Sequence, residues 1–533
     1  MDAVRKPMNE RPATYFLQEA IDRGLAAIEA RLDKSQENRP FFMIELNPEP
    51  RLIHEIWDLG DMCARYVDAF ILGRQVTGNP GHRDAEQGLR VMLQTCDPYV
   101  EPFMAGRMLI TFVDIYLQNR SESNRDNIHS LVDVIKSHLT FEDDFAYYFK
   151  ATSGRRFYED PVFGSFLPYP TYPIGGIMLA LARYLDEDDD PVFDDLLERL
   201  TVFVLRESGT FAPDGSYYGH THSGGILTAA AAILRRAIRI GDADRIRFMM
   251  KVLDWTLAYS SGWGWVPDGL GSPDPSGETC SLVDALHLLL LAANHVDSSY
   301  FDVVERFARN QLIENQFRNP DKMLPSGDFP NRSRIEKAID GSWASWSLPN
   351  SLDNGLQHIE GCCLGAGIRG CFLVSDSAVS FRDGIVYVNM GISRNSEWAE
   401  IISYIPYTGR IDVLMHQPLP LSIRIPSWVA RDFLVLTVNG EIIHLFANAE
   451  RYVELDRLDI GDHVSLEFPM LSQKKTEQVS GMIYNVKWHG DTIIGIEPAG
   501  DLYPIFERKY MLYPHPPMMS ALYLNQTGGL VHY

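Results

Sequence analysis

The sequence lacks an excess of basic residues, and this shortage limits the partners it can have. Its 533 residues include 48 Lys and Arg against 71 Asp and Glu, which gives a formal net charge of −23. Proteins that bind nucleic acid ordinarily carry a basic excess. The composition therefore argues against nucleic acid as a partner, and more weakly against other anions.

Long apolar runs are also missing. The longest strictly apolar runs, such as Leu288–Ala293, are far shorter than the roughly 18 residues of a membrane span. The opening residues, MDAVRKPMNERPATYFLQ, contain no apolar segment of the kind found in secretory signals. We therefore expect a cytoplasmic protein that has no membrane partner.

Cysteine is scarce as well. Six cysteines in 533 residues are too few for a disulfide scaffold, and the cytosol would keep them reduced. Reduced thiols can ligate a metal or act as nucleophiles. The few cysteines are therefore candidates for chemistry rather than for cross-linking.

The residues that are present divide the chain into two halves. Apolar residues recur at helical spacing from Thr14 to Asn315, in segments punctuated by Gly, Pro, Asp and Ser; one segment is Ile53–Arg74. Such a series predicts helical hairpins closed into an (α/α)6 barrel. Because 533 residues exceed one ordinary core, further domains are expected.

The second half has the period of β-strands. From about Asp376 apolar residues alternate, and Asn439-Gly440 is a strong hairpin-turn signal between two such runs. We predict a multidomain α + β protein: a catalytic (α/α)6 barrel over 1–375, then an antiparallel β-sandwich over 376–533. The tail from about residue 500 has no clear period, and one option is that it packs back on the barrel.

Two fragments of the helical half carry thiols. Cys362 and Cys363 are adjacent in what we interpret as a Gly-rich turn, and Glu278 and Cys280 lie upstream in the segment Gly-Glu-Thr-Cys. Three thiols and a carboxylate form a ligand set that suits zinc better than magnesium or calcium. The alternative is that these cysteines are small buried core residues, because free Cys is among the most buried residue types.

Two connecting loops offer further polar groups. His220 and His222 lie two residues apart, so they could ligate a metal, bind sugar hydroxyls or make local hydrogen bonds. Trp265 and Asp268 lie in the loop GWGWVPDG, where an apolar wall could raise the pKa of Asp268 and suit it to act as a general acid. The sequence Pro-Asp-Gly is equally typical of a plain turn.

The segment Ile53–Arg74 is a third candidate. Trp57, Asp58 and Asp61 could line a sugar pocket, because stacking aromatics beside carboxylates suit polyols. The same pattern is expected of an amphipathic helix with a charged outer face.

These features together resemble glycoside hydrolase family 127, the zinc- and cysteine-dependent β-L-arabinofuranosidases. The resemblance covers roughly 262–428 and rests first on Glu278-Thr279-Cys280 and on Cys362-Cys363 with Arg369 behind them. The supporting motifs are Val374-Ser375-Asp376, Val386-Tyr387-Val388-Asn389 and Leu421-Ser422-Ile423-Arg424-Ile425-Pro426-Ser427-Trp428.

The resemblance implies a retaining glycoside hydrolase that acts on a furanoside. Carried over, Glu278, Cys280, Cys362 and Cys363 hold Zn2+, and Cys362 is also the nucleophile. The family's general acid/base is a Glu upstream of the Glu-Thr-Cys motif. This chain has no Glu between Trp263 and Glu278, so we assign the role to Asp268. A family histidine corresponds best to His220, with His222 beside it.

The expected partner is a small oligosaccharide or glycoside; the oligomeric state is open, with a homodimer among the options. Two alternatives belong to other classes. One is a metal-free (α/α)-barrel sugar epimerase or uronyl hydrolase, which a chelator would leave active. The other is a non-catalytic, zinc-stabilised carbohydrate-binding protein, which would bind sugar without releasing a product.

Overall fold

The computed structural model describes residues 10–12, 14, 16–96, 102–148, 171–217, 222–270, 276–443, 451–512 and 516–520. Its α-helices, in chain order, are α1 (Phe16–Ala30), α2 (Cys63–Thr77), α3 (Arg83–Thr95), α4 (Pro102–Gln118), α5 (Glu122–Ser137), α6 (Gly175–Leu185), α7 (Pro191–Val202), α8 (Ser223–Ile240), α9 (Ala243–Tyr259), α10 (Thr279–His295), α11 (Tyr300–Phe307), α12 (Arg332–Ile339) and α13 (Gly361–Ala378).

Six of these helices form a closed inner ring. Helix α2 packs on α4, α4 on α6, α6 on α8, α8 on α10, α10 on α13, and α13 returns to α2. The helices between them, α1, α3, α5, α7, α9 and α11, pack against the outside of that ring. The inner helices are buried nearly all round, as expected for helices enclosed by a second layer. This arrangement confirms the predicted (α/α)6 barrel.

The last inner helix, α13, was not predicted, because its four glycines were interpreted as a turn. Instead they allow close packing of neighbouring groups. A Cβ at Gly365 would lie 2.9 Å from the Arg65 side chain, and one at Gly370 would lie 2.7 Å from Val283. A Cβ at Gly367 would overlap the ring of Trp343. Tertiary packing here outweighs the weak helix propensity of glycine.

The predicted helix Ile53–Arg74 begins later than its periodicity indicated. Residues Arg51–Ile53 form a strand, and Asp58–Met62 form a π-helical turn that leads into α2 at Cys63. Such turns change the direction in which side chains point and are frequent at functional sites. This turn brings Asp61 and the preceding Trp57 to the mouth of the barrel.

Short strands accompany the barrel, and longer ones form the C-terminal half. In chain order they are β1 (Glu10–Pro12), β2 (Leu32–Asp33), β3 (Arg39–Pro40), β4 (Met43–Glu45), β5 (Arg51–Ile53), β6 (Leu139–Phe141), β7 (Ala146–Tyr148), β8 (His358–Glu360), β9 (Val379–Arg382), β10 (Ile385–Val388), β11 (Arg394–Asn395), β12 (Ala399–Ser403), β13 (Arg410–Met415), β14 (Leu421–Arg424), β15 (Val435–Val438), β16 (Glu441–Ile443), β17 (Tyr452–Leu455), β18 (His463–Glu467), β19 (Ser472–Val479), β20 (Met482–His489), β21 (Thr492–Glu497) and β22 (Met518–Ser520).

The predicted sandwich consists of two sheets with a shared apolar core. One has the order β17-β14-β10-β9 and the other β11-β12-β13-β18-β15-β16. The pairing is antiparallel except between β10 and β14, which run parallel. Asn439 and Gly440 form the expected turn between β15 and β16, both with positive φ (54° and 85°). The sandwich is joined to the barrel through Arg424, which pairs with Glu305 at 3.4 Å.

Strands β19 to β21 form a third sheet of their own, although the sequence had assigned Met482–Trp488 to the sandwich. This sheet packs on the barrel loop that contains Trp263, whose ring lies 5.7 Å from that of Tyr484. The following segment reaches the barrel as well, since Arg508 Nε lies 2.7 Å from Glu314 Oε1. Within the described residues, no helix is long and apolar enough to cross a bilayer.

Candidate active site

A cavity of about 220 Å³ opens where the inner helices begin. Side chains from the first turns of α4, α10 and α13, and from residues just before α2, α6 and α8, surround it, so the amino termini of the ring converge on one space. Backbone N–H groups at these termini give the space a positive partial charge. The lining residues are Phe42, Trp57, Asp61, Arg65, Phe103, Arg107, Tyr172, His222, Gly224, Gly225, Glu278, Cys280, Ser281, Asp284, Trp346, Glu360 and Cys362.

Three thiols gather on one wall of this cavity. The Sγ atom of Cys280 lies 3.5 Å from that of Cys363, which lies 3.9 Å from that of Cys362. Hydrogen bonds from the other two thiols lower the pKa of Cys280 well below its usual value, and the first turns of α10 and α13 hold all three groups buried. One thiolate is therefore favoured, whereas three buried thiolates would need a cation to compensate their charge.

Glu278 lines the same cavity as Cys280 and Cys362. It is the N-cap residue of α10, two residues before Cys280, and its side chain makes no capping hydrogen bond. Its Oε1 atom is buried without a hydrogen-bond partner among the described residues and lies 3.9 Å from His222 Nδ1. Burial, and then the neighbouring Asp268 carboxylate, raise the pKa of Glu278 well above its usual value. A buried carboxylate that lacks a donor beside three thiols fits a divalent, thiol-preferring cation such as zinc. The carboxylate oxygen also lies within 4.8 Å of donor atoms of His222 and Asp268.

Aromatic rings form a continuous arc around the mouth of the cavity. Phe103 stacks on Tyr172 with centroids 5.1 Å apart and meets Trp57 edge-on at 6.3 Å. Tyr172 lies 5.4 Å from His222, whose ring lies 5.7 Å from Trp346. Ring faces and edges of this kind suit the C–H face of a sugar, while the polar groups below them can bind hydroxyls.

Glu360 is the carboxylate that lies beside the thiol of Cys362. Its Oε2 atom lies 3.6 Å from Cys362 Sγ, and its Oε1 atom accepts a hydrogen bond of 3.0 Å from Trp346 Nε1. His358 Nε2 lies 3.2 Å from the same Oε1 atom. Burial acts to raise the pKa of Glu360, but hydrogen bonding from His358 and Trp346 outweighs it and lowers that pKa.

Asp268, our predicted acid/base, does not line the cavity. Its Oδ2 atom accepts a 2.7 Å hydrogen bond from the backbone N–H of His222, and its Oδ1 atom accepts one of 3.0 Å from Ser281 Oγ. The residue is 3% exposed. Asp268 therefore joins the loop before α8 to the first turn of α10, and through that contact it holds His222 at the cavity.

Some of the other predicted site residues line the cavity, and others are buried away from it. Trp57, Asp61 and His222 line the cavity. Trp265 is buried against the third sheet. Asp58, the first residue of the π-helical turn, is buried and accepts hydrogen bonds from Phe42 N and Glu55 N. His220 lies outside the described residues.

No sequence pattern singled out most of the remaining lining residues. Phe103 and Arg107 lie in an ordinary helical pattern, and Tyr172 and Trp346 lie in segments without a motif. Asp284 carried a usable signal, because it lies four residues after Cys280 and therefore on the same face of α10. Burial raises the pKa of Asp284 to about 6.

Comparisons with known proteins agree with this architecture. Residues 399–470 match a family model described as the β-L-arabinofuranosidase, GH127 middle domain. No protein of curated function matches the chain in sequence.

Solved structures with the same overall arrangement include three sugar-processing enzymes. A GH127 β-arabinofuranosidase aligns with a TM-score of 0.61 at 15% identity, over 91% of this chain and 81% of its own. A GH127 β-L-arabinofuranosidase from Geobacillus stearothermophilus T6 aligns with 0.55 at 15%, over 89% and 80%. An unsaturated glucuronyl hydrolase specific for heparin aligns with 0.51 at 9%, over 68% and 97%.

Fold and site therefore define an (α/α)6-barrel protein with an appended β-sandwich and a thiol-lined cavity. Within that class the fold is similar to that of GH127 proteins: residues 399–470 match the family's middle domain, and about nine-tenths of the chain aligns with two solved members.

Proposed function

We propose that the protein is a retaining glycoside hydrolase that acts on a small glycoside, in the manner of a β-L-arabinofuranosidase. The observation that carries this proposal is the position of Cys362, whose thiol lines the cavity beside Cys280, Cys363 and Glu278. A volume of about 220 Å³ suits one sugar ring rather than a chain.

We infer that Glu278, Cys280, Cys362 and Cys363 hold a zinc ion. Two observations support this ligand set. The three thiols lie within 4.8 Å of one another, and Glu278, which lines the same cavity, has a buried Oε1 atom without a hydrogen-bond partner among the described residues. When bound, zinc keeps its cysteine ligands deprotonated at neutral pH. The buried position of the cluster excludes bulk water from the thiols.

In the first step, the Cys362 thiolate attacks the anomeric carbon, and the bond from that carbon to the leaving oxygen breaks. A carboxylic acid in the cavity donates its proton to that oxygen. In the second step, the resulting carboxylate takes a proton from water, which displaces the thiolate from the anomeric carbon. Two displacements at one carbon retain its configuration.

The acid/base role goes to Glu360 rather than to Asp268 in this proposal on the ground of position. Burial acts to raise the pKa of Glu360, but hydrogen bonds from His358 and Trp346 lower it, so its carboxylate must take up a proton before the first step. Glu360 lines the cavity and its Oε2 atom lies 3.6 Å from Cys362 Sγ, whereas Asp268 is buried outside the cavity lining, between His222 N and Ser281 Oγ. Asp268 acts as a positioning residue for His222. His222 in turn closes the aromatic arc against which the sugar packs.

The proposal is tested with 4-nitrophenyl β-L-arabinofuranoside and related furanosides under reducing conditions. Proton NMR of the first-formed sugar is expected to show the anomer of the substrate. An inverted product would contradict the two-step mechanism. Full turnover after complete metal removal would instead favour the metal-free (α/α)-barrel enzymes.

A further inference from the structure

We propose that the cavity selects a sugar that carries a carboxylate, and that Arg107 binds this group. The inference rests on the proposed function only in taking this cavity as the substrate site. It adds a class of substrate, the acidic sugars, to a site for which we have argued only hydrolysis.

Arg107 lies in the second turn of α4 and lines the cavity. Its guanidinium carbon lies 5.1 Å from the centroid of the Phe103 ring, which holds the group by a cation–π contact. Among the described residues, the buried Nε atom has no hydrogen-bond partner, and no carboxylate oxygen lies within 4.0 Å of the guanidinium nitrogens. Within that part of the chain, Arg107 is therefore a positioned cation without a carboxylate in contact.

The two neighbouring arginines, Arg65 and Arg369, each have a carboxyl group in contact. Arg65 Nε lies 2.7 Å from Asp61 Oδ1, and Arg369 lies 2.7 Å from Asp68 Oδ2. Both line the deeper part of the same barrel interior, together with Arg107. Among the described residues, a carboxyl group therefore lies in contact with two of these three guanidinium groups and not with the third, which lines the cavity.

Charge and geometry favour a carboxylate as the missing partner. Burial and the charge of Arg65 lower the pKa of Arg107, while Asp284 and Asp61 act to raise it; the net shift is downward, so these carboxylates do not offset the cost of burying this cation. A planar carboxylate can accept two parallel hydrogen bonds from a guanidinium and neutralise its charge. Neutral sugar hydroxyls can accept hydrogen bonds from the guanidinium but cannot neutralise its charge. The converging amino termini of the inner helices add positive potential.

The competing explanation is that Arg107 serves as a counter-ion for Asp284. Both residues line the cavity, and the Arg107 charge acts to lower the pKa of Asp284. In that case the two groups stabilise each other, and Arg107 has no effect on which sugar binds.

The test measures binding of single sugars to the full-length, metal-containing protein by isothermal titration calorimetry. D-Glucuronate, D-galacturonate and L-iduronate are each compared with the neutral parent sugar. At least one acid is expected to bind ten-fold or more tightly than its parent. In Arg107→Gln that ratio should fall to about one, and Arg107→Lys should lose most of it because an ammonium cannot form the bidentate contact.

The matched control is Arg120→Gln, which removes a surface guanidinium paired with Glu187 and should keep the wild-type ratio. Equal binding of acids and neutral parents to wild type, or an unchanged ratio in Arg107→Gln, would overturn the proposal. The counter-ion role would be supported instead by three results together. Arg107→Gln would lower the Tm, Asp284→Asn added to that variant would restore the Tm, and the wild type would show no preference for acidic sugars.

Hydrolysis is measured separately with 4-nitrophenyl β-D-glucuronide and β-D-glucoside. Tight binding of an acid that depends on Arg107, with no turnover of any glycoside, would count against the hydrolase and support the carboxylate site. Turnover of neutral furanosides without preference for acids would support the hydrolase and overturn the carboxylate site.

Discussion

The thiol of Cys280 lies 3.5 Å from the thiol of Cys363, although 83 positions separate them in the chain. The contact exists because α10 and α13 are adjacent in the inner ring and present their first turns to the same cavity. Any chemistry of this cluster therefore depends on how two distant helices pack.

The first prediction concerns the nucleophile. Cys362→Ser should fold normally and lose at least about 10³-fold in kcat, because a serine hydroxyl remains protonated where the thiol would ionise. Turnover of an aryl furanoside measures the loss, and thermal unfolding checks the fold. Cys96→Ser, a partly exposed thiol outside the cavity, is the matched control. Near-wild-type turnover in Cys362→Ser would remove the covalent role.

The second prediction concerns metal content. Freshly purified, reduced protein should contain about one zinc per chain by elemental analysis, as one four-ligand site requires. Removing the metal should lower the Tm, because a ligand bound only by the folded state stabilises it. Cys280→Ser should reduce the zinc content, and Cys96→Ser should not. Absence of zinc in folded protein that cannot be remetallated would reduce the cysteines to core residues.

The third prediction separates Asp268 from Glu360. If Asp268 only positions His222, Asp268→Asn should raise KM more than it lowers kcat, equally for good and poor leaving groups. Glu360→Gln should lower kcat by about 10²- to 10⁴-fold for poor leaving groups and much less for 2,4-dinitrophenol, which needs no proton. If Asp268→Asn instead shows the loss of kcat that depends on the leaving group, and Glu360→Gln shows mainly the rise in KM, the acid/base role would return to Asp268.

The fourth prediction concerns the packing of α13. Gly367→Ala should lower the free energy of unfolding by about 1–3 kcal/mol or more, because the added methyl group overlaps the Trp343 ring. Denaturant unfolding measures the difference. The control is Gly495→Ala, whose nearest contact would be 3.7 Å from a flexible lysine, so its effect should stay within about 0.5 kcal/mol. Equal effects would contradict the role of Gly367 in close packing.

The fifth prediction concerns pH. Burial, opposed by Arg369 and reinforced by Asp114, raises the pKa of Asp68 from 3.8 to about 8. The folded state then retains a proton that the unfolded state loses, so this group makes stability fall as pH rises from about 4 to about 8. Asp68→Asn, which cannot ionise, should show a flatter dependence of Tm on pH. Asp244→Asn, on the exposed surface, should keep the wild-type slope.

Much of the architecture could be predicted from local patterns. Helical periodicity located most of the barrel helices, and alternation located the sandwich strands, because each element buries one face against a common core. Asn439-Gly440 identified its hairpin because few residue pairs accept positive φ at both positions. Helix α13 was missed, since its glycines are explained only by neighbours from other parts of the chain, such as Trp343 and Val283.

The sequence by itself determined which groups were candidates for the site: the thiols, Glu278 and His222 are recognisable by residue type and spacing. Only the tertiary structure decided which side chains reach the cavity. It placed Arg107 and Tyr172 there and kept Asp268 and Trp265 out. The physical reason is that six helix termini, far apart in the chain, enclose one space, and local periodicity does not specify which residue of each terminus faces it.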